Sequence, residues 1–262
     1  MSFSKKSPIG ALGDAHQTAD GSWTLSHPGH FEWYHSADGA ATEARSLYVD
    51  ASGIASDFAD GRSVRVLDVG LGLGYNALVT MDAWLQAGSK GPLEILSLEN
   101  DEDLFAALCS GEAPWLAGWD PVWLGAVTGL VQVQGSNLEG QACQVWQARV
   151  VGPGGGQLKW RVCLGDARSG AAVAQIQAAG LFDYVWQDPF SPRKNPGMWG
   201  ADWFAEIAPA VRCGGCLMSY SVASRVRKAL AAAGWRVERI PTSTRKKRWL
   251  RAFRLAREED PT

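Results

Sequence analysis

The sequence predicts an α/β fold: a mainly parallel twisted sheet with helices on both faces, preceded by a small β-rich lead-in. Three observations carry that expectation. From residue 63 onward, short β-branched runs alternate with stretches of helical spacing. A glycine-rich turn, DVGLGLG at residues 68–74, sits where the first run gives way to the first helical stretch. Acids stand at or just after the ends of later runs, at Glu99, Asp166 and Asp188. In an open parallel sheet ligands bind beyond the carboxyl ends of the strands, so these positions are the ones to read for chemistry.

Residues 1–62 read as a lead-in packed on the core, with turns at Asp20-Gly21, Pro28-Gly29 and Asp38-Gly39 and short strands near Thr24 and Phe31–Tyr34. Residues 63–262 read as the main domain. Ser63–Val69 is its first strand, and Tyr75–Ala87 is a helix with Leu78, Met81, Ala83 and Leu85 apolar. Leu93–Leu98 is the second strand, and Asp101 caps a helix running through Cys109. Trp115, Trp119 and Trp123 recur at a helical spacing of four and read as a core stripe. GPGGG at residues 152–156 is a hairpin tip, and the strand through Val162–Leu164 leads into Gly165-Asp166 and a helix to Ala179. Phe182–Gln187 is a strand and Trp199–Val211 a helix. Gly214-Gly215 turns into a strand at Cys216–Tyr220, followed by a helix at Ser224–Ala233 closed by Gly234. Trp235–Ile240 and Trp249–Leu255 are the last strands, joined by a basic turn.

Composition narrows the function classes. Of 262 residues 46% are hydrophobic and 20% charged, which supplies a core and excludes a wholly disordered chain. No apolar run reaches the roughly 18–20 residues that span a bilayer. The N-terminus lacks the apolar core of a secretory signal, so a cytoplasmic protein without a membrane partner is expected. Five cysteines, an odd number in such a chain, predict no disulfide framework. Cys213 and Cys216 form a single CxxC that no second pair or nearby histidine completes as a zinc site. The net charge is only −2, yet the segment from Arg212 to Arg257 is rich in Arg and Lys with Glu238 its only acid, a distribution that suits a nucleic-acid face.

The glycines of the first turn, Gly70, Gly72 and Gly74, let backbone approach a ligand at the start of a helix, where N–H groups are free. Their spacing is GxGxG rather than the dinucleotide GxGxxG. Asp68, two residues ahead, would repel a pyrophosphate but suits a ligand carrying an ammonium and a sulfonium. S-adenosylmethionine is such a ligand. Glu99 is placed to accept ribose hydroxyls, and Asp166 to accept from an adenine amino group or to cap the next helix. Asp188 lies in a loop stiffened by Pro189 and Pro192; its carboxylate can orient an amine and take its proton, while Phe190 offers a ring for stacking. All four histidines, His16, His27, His30 and His35, fall in the lead-in, leaving none in the core for a Ser-His-Asp or Cys-His mechanism, and no pattern makes them a metal site. Methyl transfer needs no histidine, because aligning donor and acceptor carries most of the work.

Three runs carry a family resemblance: TADGSWTL (residues 18–25) with YHSADGA (34–40), DPFSPRKNPGMW (188–199) and SYSVASRVRKALAAAGW (219–235). They resemble the methyltransferase domain of the bacterial bifunctional tRNA 5-methylaminomethyl-2-thiouridine biosynthesis proteins, over Thr18 to Phe253. The resemblance implies a Rossmann-like class I S-adenosylmethionine-dependent fold and N-methylation of the aminomethyl group on a modified wobble uridine of tRNA. By matching positions, Gly70, Gly72, Gly74 and Asn76 would cradle the methionine part, beside Asp68; Glu99 would meet the ribose, Asp166 the adenine, and Asp188 with Phe190 the reacting amine. Arg193, Lys194, Arg245, Lys246, Lys247 and Arg248 would contact tRNA, and Tyr34 and His35 would pack near the mouth of the site. The family's Gly-x-Gly-Arg-Lys-Arg-Glu run reads here as TSTRKKR at residues 242–248. Those relatives continue into a flavin oxidoreductase domain; with Thr262 as the last residue the expectation is no FAD, no metal, and an amine already exposed. Two other readings remain on the sequence: a small-molecule amine transferase such as an aminopropyltransferase, and a non-catalytic RNA-binding relative.

Overall fold

A computed structural model describes residues 12–133, 143–242 and 248–256. Strands β1 (Ala15–Gln17), β2 (Trp23–His27) and β3 (Glu32–Trp33) open the described chain as a small antiparallel sheet. The lead-in then turns helical, through α1 (Ala40–Ala44), a π-helical continuation at Arg45–Asp50, and α2 (Ile54–Ala59). The expected β-rich character therefore holds only for its first half. Ala40, Ala44, Leu47 and Tyr48 recur at helical spacing and are buried, which the turn signals around them obscured.

Five parallel strands form the centre of the main sheet, in the order β8 (Gln157–Leu164), β5 (Leu93–Glu99), β4 (Val64–Val69), β9 (Phe182–Gln187), β10 (Val211–Ser219). Beyond β10, β12 (Trp249–Arg254) is antiparallel and carries β11 (Trp235–Ile240) at the edge. Beyond β8, β7 (Gln144–Val151) is antiparallel and carries β6 (Val131–Gln132). Among the described strands of this sheet only β7 and β12 run against the rest, so the mainly parallel expectation holds. The centre is buried on both faces, which explains its continuous apolar runs. Val64 and Val66 of β4 join one core cluster, and Leu67 and Val69 join the other, across the sheet. The first cluster also holds Leu25, Tyr48 and Trp186, so the lead-in shares a core with the main domain.

Helices cover both faces. They are α3 (Tyr75–Gln86), α4 (Glu102–Cys109), α5 (Pro121–Thr128), α6 (Gly170–Ala178), α7 (Ala201–Ile207) and α8 (Ser224–Ala232). The Asp101 carboxylate accepts from Leu104 N at 2.9 Å and caps α4. The tryptophan stripe is not one helix. Trp115 lies in a 3-10 turn and Trp123 in α5, both fully buried, because Asp120 caps and Pro121 starts a new helix between them. The helix expected over Trp199–Val211 is broken the same way, by Gly200 and by Pro209, into a 3-10 turn, α7 and a second 3-10 turn.

Two further expectations are corrected. Gly214 and Gly215 do not turn into β10; they lie within it, where the register against β9 shifts between Val211 and Cys216 and Gly214 has φ 72°. Cys143 and Cys163 are joined as a disulfide between the start of β7 and the end of β8, with Cα atoms 5.9 Å apart. The antiparallel β7–β8 pairing brings these distant cysteines together, which counting alone did not reveal. Among the described residues no helix is long and apolar enough to cross a membrane.

Candidate active site

The carboxyl ends of β4, β5, β8 and β9 open into a cavity of about 1300 Å³. Each strand delivers the residues that follow it: Gly70–Gly72, Glu99–Asp103, Gly165–Arg168 and Asp188–Ser191 line the wall. The lead-in closes the other side with His27, the His30–Ala37 stretch and Tyr48.

The glycine turn is built for close approach. Gly70 and Gly72 have φ 87° and 54°, conformations L side chains rarely adopt. A Cβ on Gly70 would come within 3.1 Å of the Asp188 carbonyl and the Pro189 backbone. Gly74 caps α3 and packs on Leu108; it and Asp68 do not line the cavity. Asp68 lies fully buried beneath it, accepting from Ser97 Oγ at 2.8 Å. Burial pushes its carboxyl up to about 8, helped by the nearby Asp188 and Glu99 charges and opposed by the Ser97 bond. A hydrogen bond from the Asn76 side chain also opposes the rise.

Asn76, on the first turn of α3, donates through Nδ2 to Asp188 Oδ2 at 2.8 Å. Asn76 thus joins the buried acid to the carboxylate at the cavity wall. The Tyr48 hydroxyl, also fully buried, is held protonated well above its ordinary range by burial and by the Asp188 carboxylate. Glu99 accepts from three backbone N–H groups, of Gly72 (2.7 Å), Asn100 (2.8 Å) and Asp101 (2.9 Å). Burial nonetheless pushes its carboxyl above the usual range. A carboxylate has about four acceptor positions, so Glu99 keeps about one for a ligand rather than the two expected for a ribose diol. Asp166 lines the cavity but spends one oxygen on Arg168 N at 2.9 Å. The cap of α6 is Ser169, not Asp166.

The Asp188–Trp199 loop is tied at several points. Tyr220 donates to the Pro189 carbonyl at 2.9 Å, and Trp199 donates to the Phe190 carbonyl at 2.9 Å. Glu32 of β3 accepts from Ser191 N and Ser191 Oγ at 3.1 and 2.6 Å. Phe190 stands in a ring cluster, 4.9 Å from His27, 4.4 Å from His30 and 4.9 Å from Tyr34 between centroids. Burial and the neighbouring His30 pull the His27 imidazole below its ordinary pKa.

The structure thus brings Gly70, Gly72, Asn76, Glu99, Asp166, Asp188 and Phe190 to one cavity. Arg193 and Lys194 are exposed on the adjoining loop. Arg248 is exposed ahead of β12 and does not line the cavity; Arg245, Lys246 and Lys247 lie outside the described residues. Glu32, Tyr48 and Asp101 also reach the site, and sequence reasoning gave none of them a ligand role. No local signal could have found Glu32, whose partner lies 159 residues away.

A family described as S-adenosyl-L-methionine-dependent methyltransferase matches residues 140–254. In its fold and in the place of its cavity, at the carboxyl ends of the parallel strands, the chain resembles that class of enzyme. More narrowly, it resembles the matching part of tRNA 5-methylaminomethyl-2-thiouridine biosynthesis bifunctional proteins MnmC. It is 28% identical to that of Ralstonia nicotianae over 220 residues, 82% of this chain and 30% of the relative. It is 29% identical to that of an Azoarcus species over 239 residues, 87% of this chain and 34% of the relative. The chain therefore spans about a third of the length of the curated relatives it matches. Among solved structures, MnmC2 from Aquifex aeolicus superposes with a TM-score of 0.72 at 28% identity, over 94% of this chain and 73% of that one.

Proposed function

We propose that the protein transfers a methyl group from S-adenosylmethionine to the aminomethyl nitrogen of a modified wobble uridine in tRNA. The observation that carries this reading is Asp188, a carboxylate at the cavity wall, oriented by Asn76 and bordered by the Phe190 ring. The cavity, about 1300 Å³, exceeds the roughly 300–1,000 Å³ of a typical small-molecule site, which leaves room for a nucleobase beside a cofactor. The names of the relatives support the substrate.

The residues present fit the cofactor. Gly70 and Gly72 leave space where a side chain would intrude, and Asn76, Glu99 and Asp166 offer polar groups around that space. These, with Asp68 and Gly74 holding the turn from below, would hold it. Bound there, S-adenosylmethionine supplies a methyl group on an electrophilic sulfonium. Asp188 accepts the amine N–H, aims the nitrogen lone pair at that methyl, and receives the proton the nitrogen releases. Phe190, with His30 and Tyr34 against it, stacks on the splayed base. Arg193 and Lys194 face the phosphates, and their charge disfavours a polyamine substrate.

Nucleoside mass spectrometry tests the reading. Protein, S-adenosylmethionine and tRNA bearing a free aminomethyl group at the wobble uridine should yield one added methyl on that nucleoside; no gain, with cofactor shown to bind, rejects the substrate. Asp188→Ala should lower turnover by about 10²–10⁴ while cofactor affinity survives. A parallel loss of cofactor binding would make Asp188 a cofactor residue instead.

A further inference from the structure

We propose that the tip of the β2–β3 hairpin, Phe31 with Trp33, is a stacking platform for an unpaired nucleotide flanking the one held in the cavity. The proposal rests on the RNA reading above and adds a second contact to it. Phe31 is 83% exposed and Trp33 51% exposed, the two most exposed aromatic side chains among the described large hydrophobics. Both border the cavity that holds Asp188 and Phe190. A solvated core-type residue at a loop tip needs no explanation by itself. Phe31, however, also has φ 54°, left-handed backbone that costs a bulky side chain and that glycine or asparagine would adopt freely. Its N–H bonds to the His27 carbonyl at 2.8 Å, so the turn is closed and the strain is held in place. A strained turn that displays an aromatic ring to solvent beside a substrate cavity is a candidate binding device.

The surroundings favour a nucleic acid over an apolar partner. The Lys194 ammonium sits 5.7 Å from the Phe31 ring centroid, and exposed Arg193 precedes it. Cationic side chains beside an exposed ring are how proteins track a backbone while bases stack. His16 lies 5.7 Å from Trp33 and buttresses that ring. Glu32, the acid between the two aromatics, has its carboxylate turned to Ser191, away from a phosphate's path onto the rings. The hairpin and the neighbouring Asp188–Trp199 loop thus present two rings and a cation next to the pocket for the reacting base.

The test uses a short anticodon stem-loop RNA with 2-aminopurine beside the wobble position. Binding to the whole protein should quench its fluorescence through stacking. Phe31→Ala should remove the quench and weaken binding about tenfold. Phe31→Tyr should keep both, and S-adenosylmethionine affinity and turnover at saturating tRNA should stay unchanged. A Phe31→Ala protein that binds with parental affinity and full quench overturns the platform while parental tRNA methylation stands. Parental protein that neither binds the RNA nor methylates tRNA overturns the RNA reading and the platform with it.

Discussion

Asp188 and Asp68 show how one fold places two carboxyls in different surroundings. Asp188 reaches the cavity and receives the Asn76 amide; Asp68 sits fully buried under the glycine turn. Burial raises the Asp68 carboxyl to about 8 in the fold, against an ordinary 3.8 in an unfolded chain. The folded state therefore binds the proton more tightly, so the stability linked to this group is full below about pH 4 and is lost as pH rises through about 8. Asp68→Asn, neutral at every pH, should remove that decline. Denaturant unfolding of both proteins at about pH 5 and about pH 9 measures it: the parent should lose on the order of a few kcal/mol more than the variant between the two. Equal losses would show that Asp68 ionises without penalty and that its buried position is compensated.

At the scale of elements, the site is a junction between the sheet and a hairpin from the lead-in. The β9 loop carries Asp188 and Phe190, while β3 brings Glu32 to Ser191 and sets His30 and Tyr34 against Phe190. Two hydrogen bonds to one carboxylate hold the hairpin to the loop, and bonds to charged groups are worth about 1.5–3 kcal/mol each when well shielded. Glu32 is only partly buried, so Glu32→Ala should cost nearer 1 kcal/mol overall. Its local signature should be larger. Hydrogen exchange at the Ser191 amide, which donates to Glu32, should accelerate at least tenfold, while amides in β4 and β5 keep their protection. Unchanged exchange at Ser191 would mean the loop holds its shape through Tyr220 and Trp199 alone.

For the whole molecule, the sheet's antiparallel flank is fastened by the Cys143–Cys163 disulfide, which closes a loop of 20 residues between β7 and β8. Cross-linking a loop of that length stabilises by about 3 kcal/mol through the unfolded chain. Cys143→Ser should lower stability by up to that amount in denaturant unfolding without a reductant, and a reductant should bring the parent to the same value. A parent indifferent to reductant would show that the bridge does not form in solution. Both core clusters, one on each face of the sheet, involve β4, β5, β9 and β10, so the centre should hold while this flank loosens.

Most of the central sheet was legible in the sequence. Val64–Val69, Leu93–Glu99 and Phe182–Gln187 are short apolar runs bounded by turns, and a strand buried on both faces leaves that mark whatever its neighbours are. The Asp101 cap and the glycine turn were legible for the same reason: a backbone that needs an acceptor or a positive φ demands particular residues locally. The rule that ligands gather at the carboxyl ends of parallel strands then located Glu99, Asp166 and Asp188. Helix breaks at Pro121 and Gly200 and the strand β7 were less legible, because spacing alone did not weigh the breakers and β7 is stabilised by its partner β8. What only the tertiary structure decided are the contacts between distant segments. Glu32 meets Ser191, Tyr48 meets Asp188, and Cys143 meets Cys163, each pair set by how strands and lead-in pack. The tertiary structure also sent Asp68 beneath the cavity rather than into it and used up most of Glu99 on its own loop and on the glycine turn. Local chemistry is written in neighbouring residues; which carboxylate faces a ligand depends on burial, and burial is a property of the whole fold.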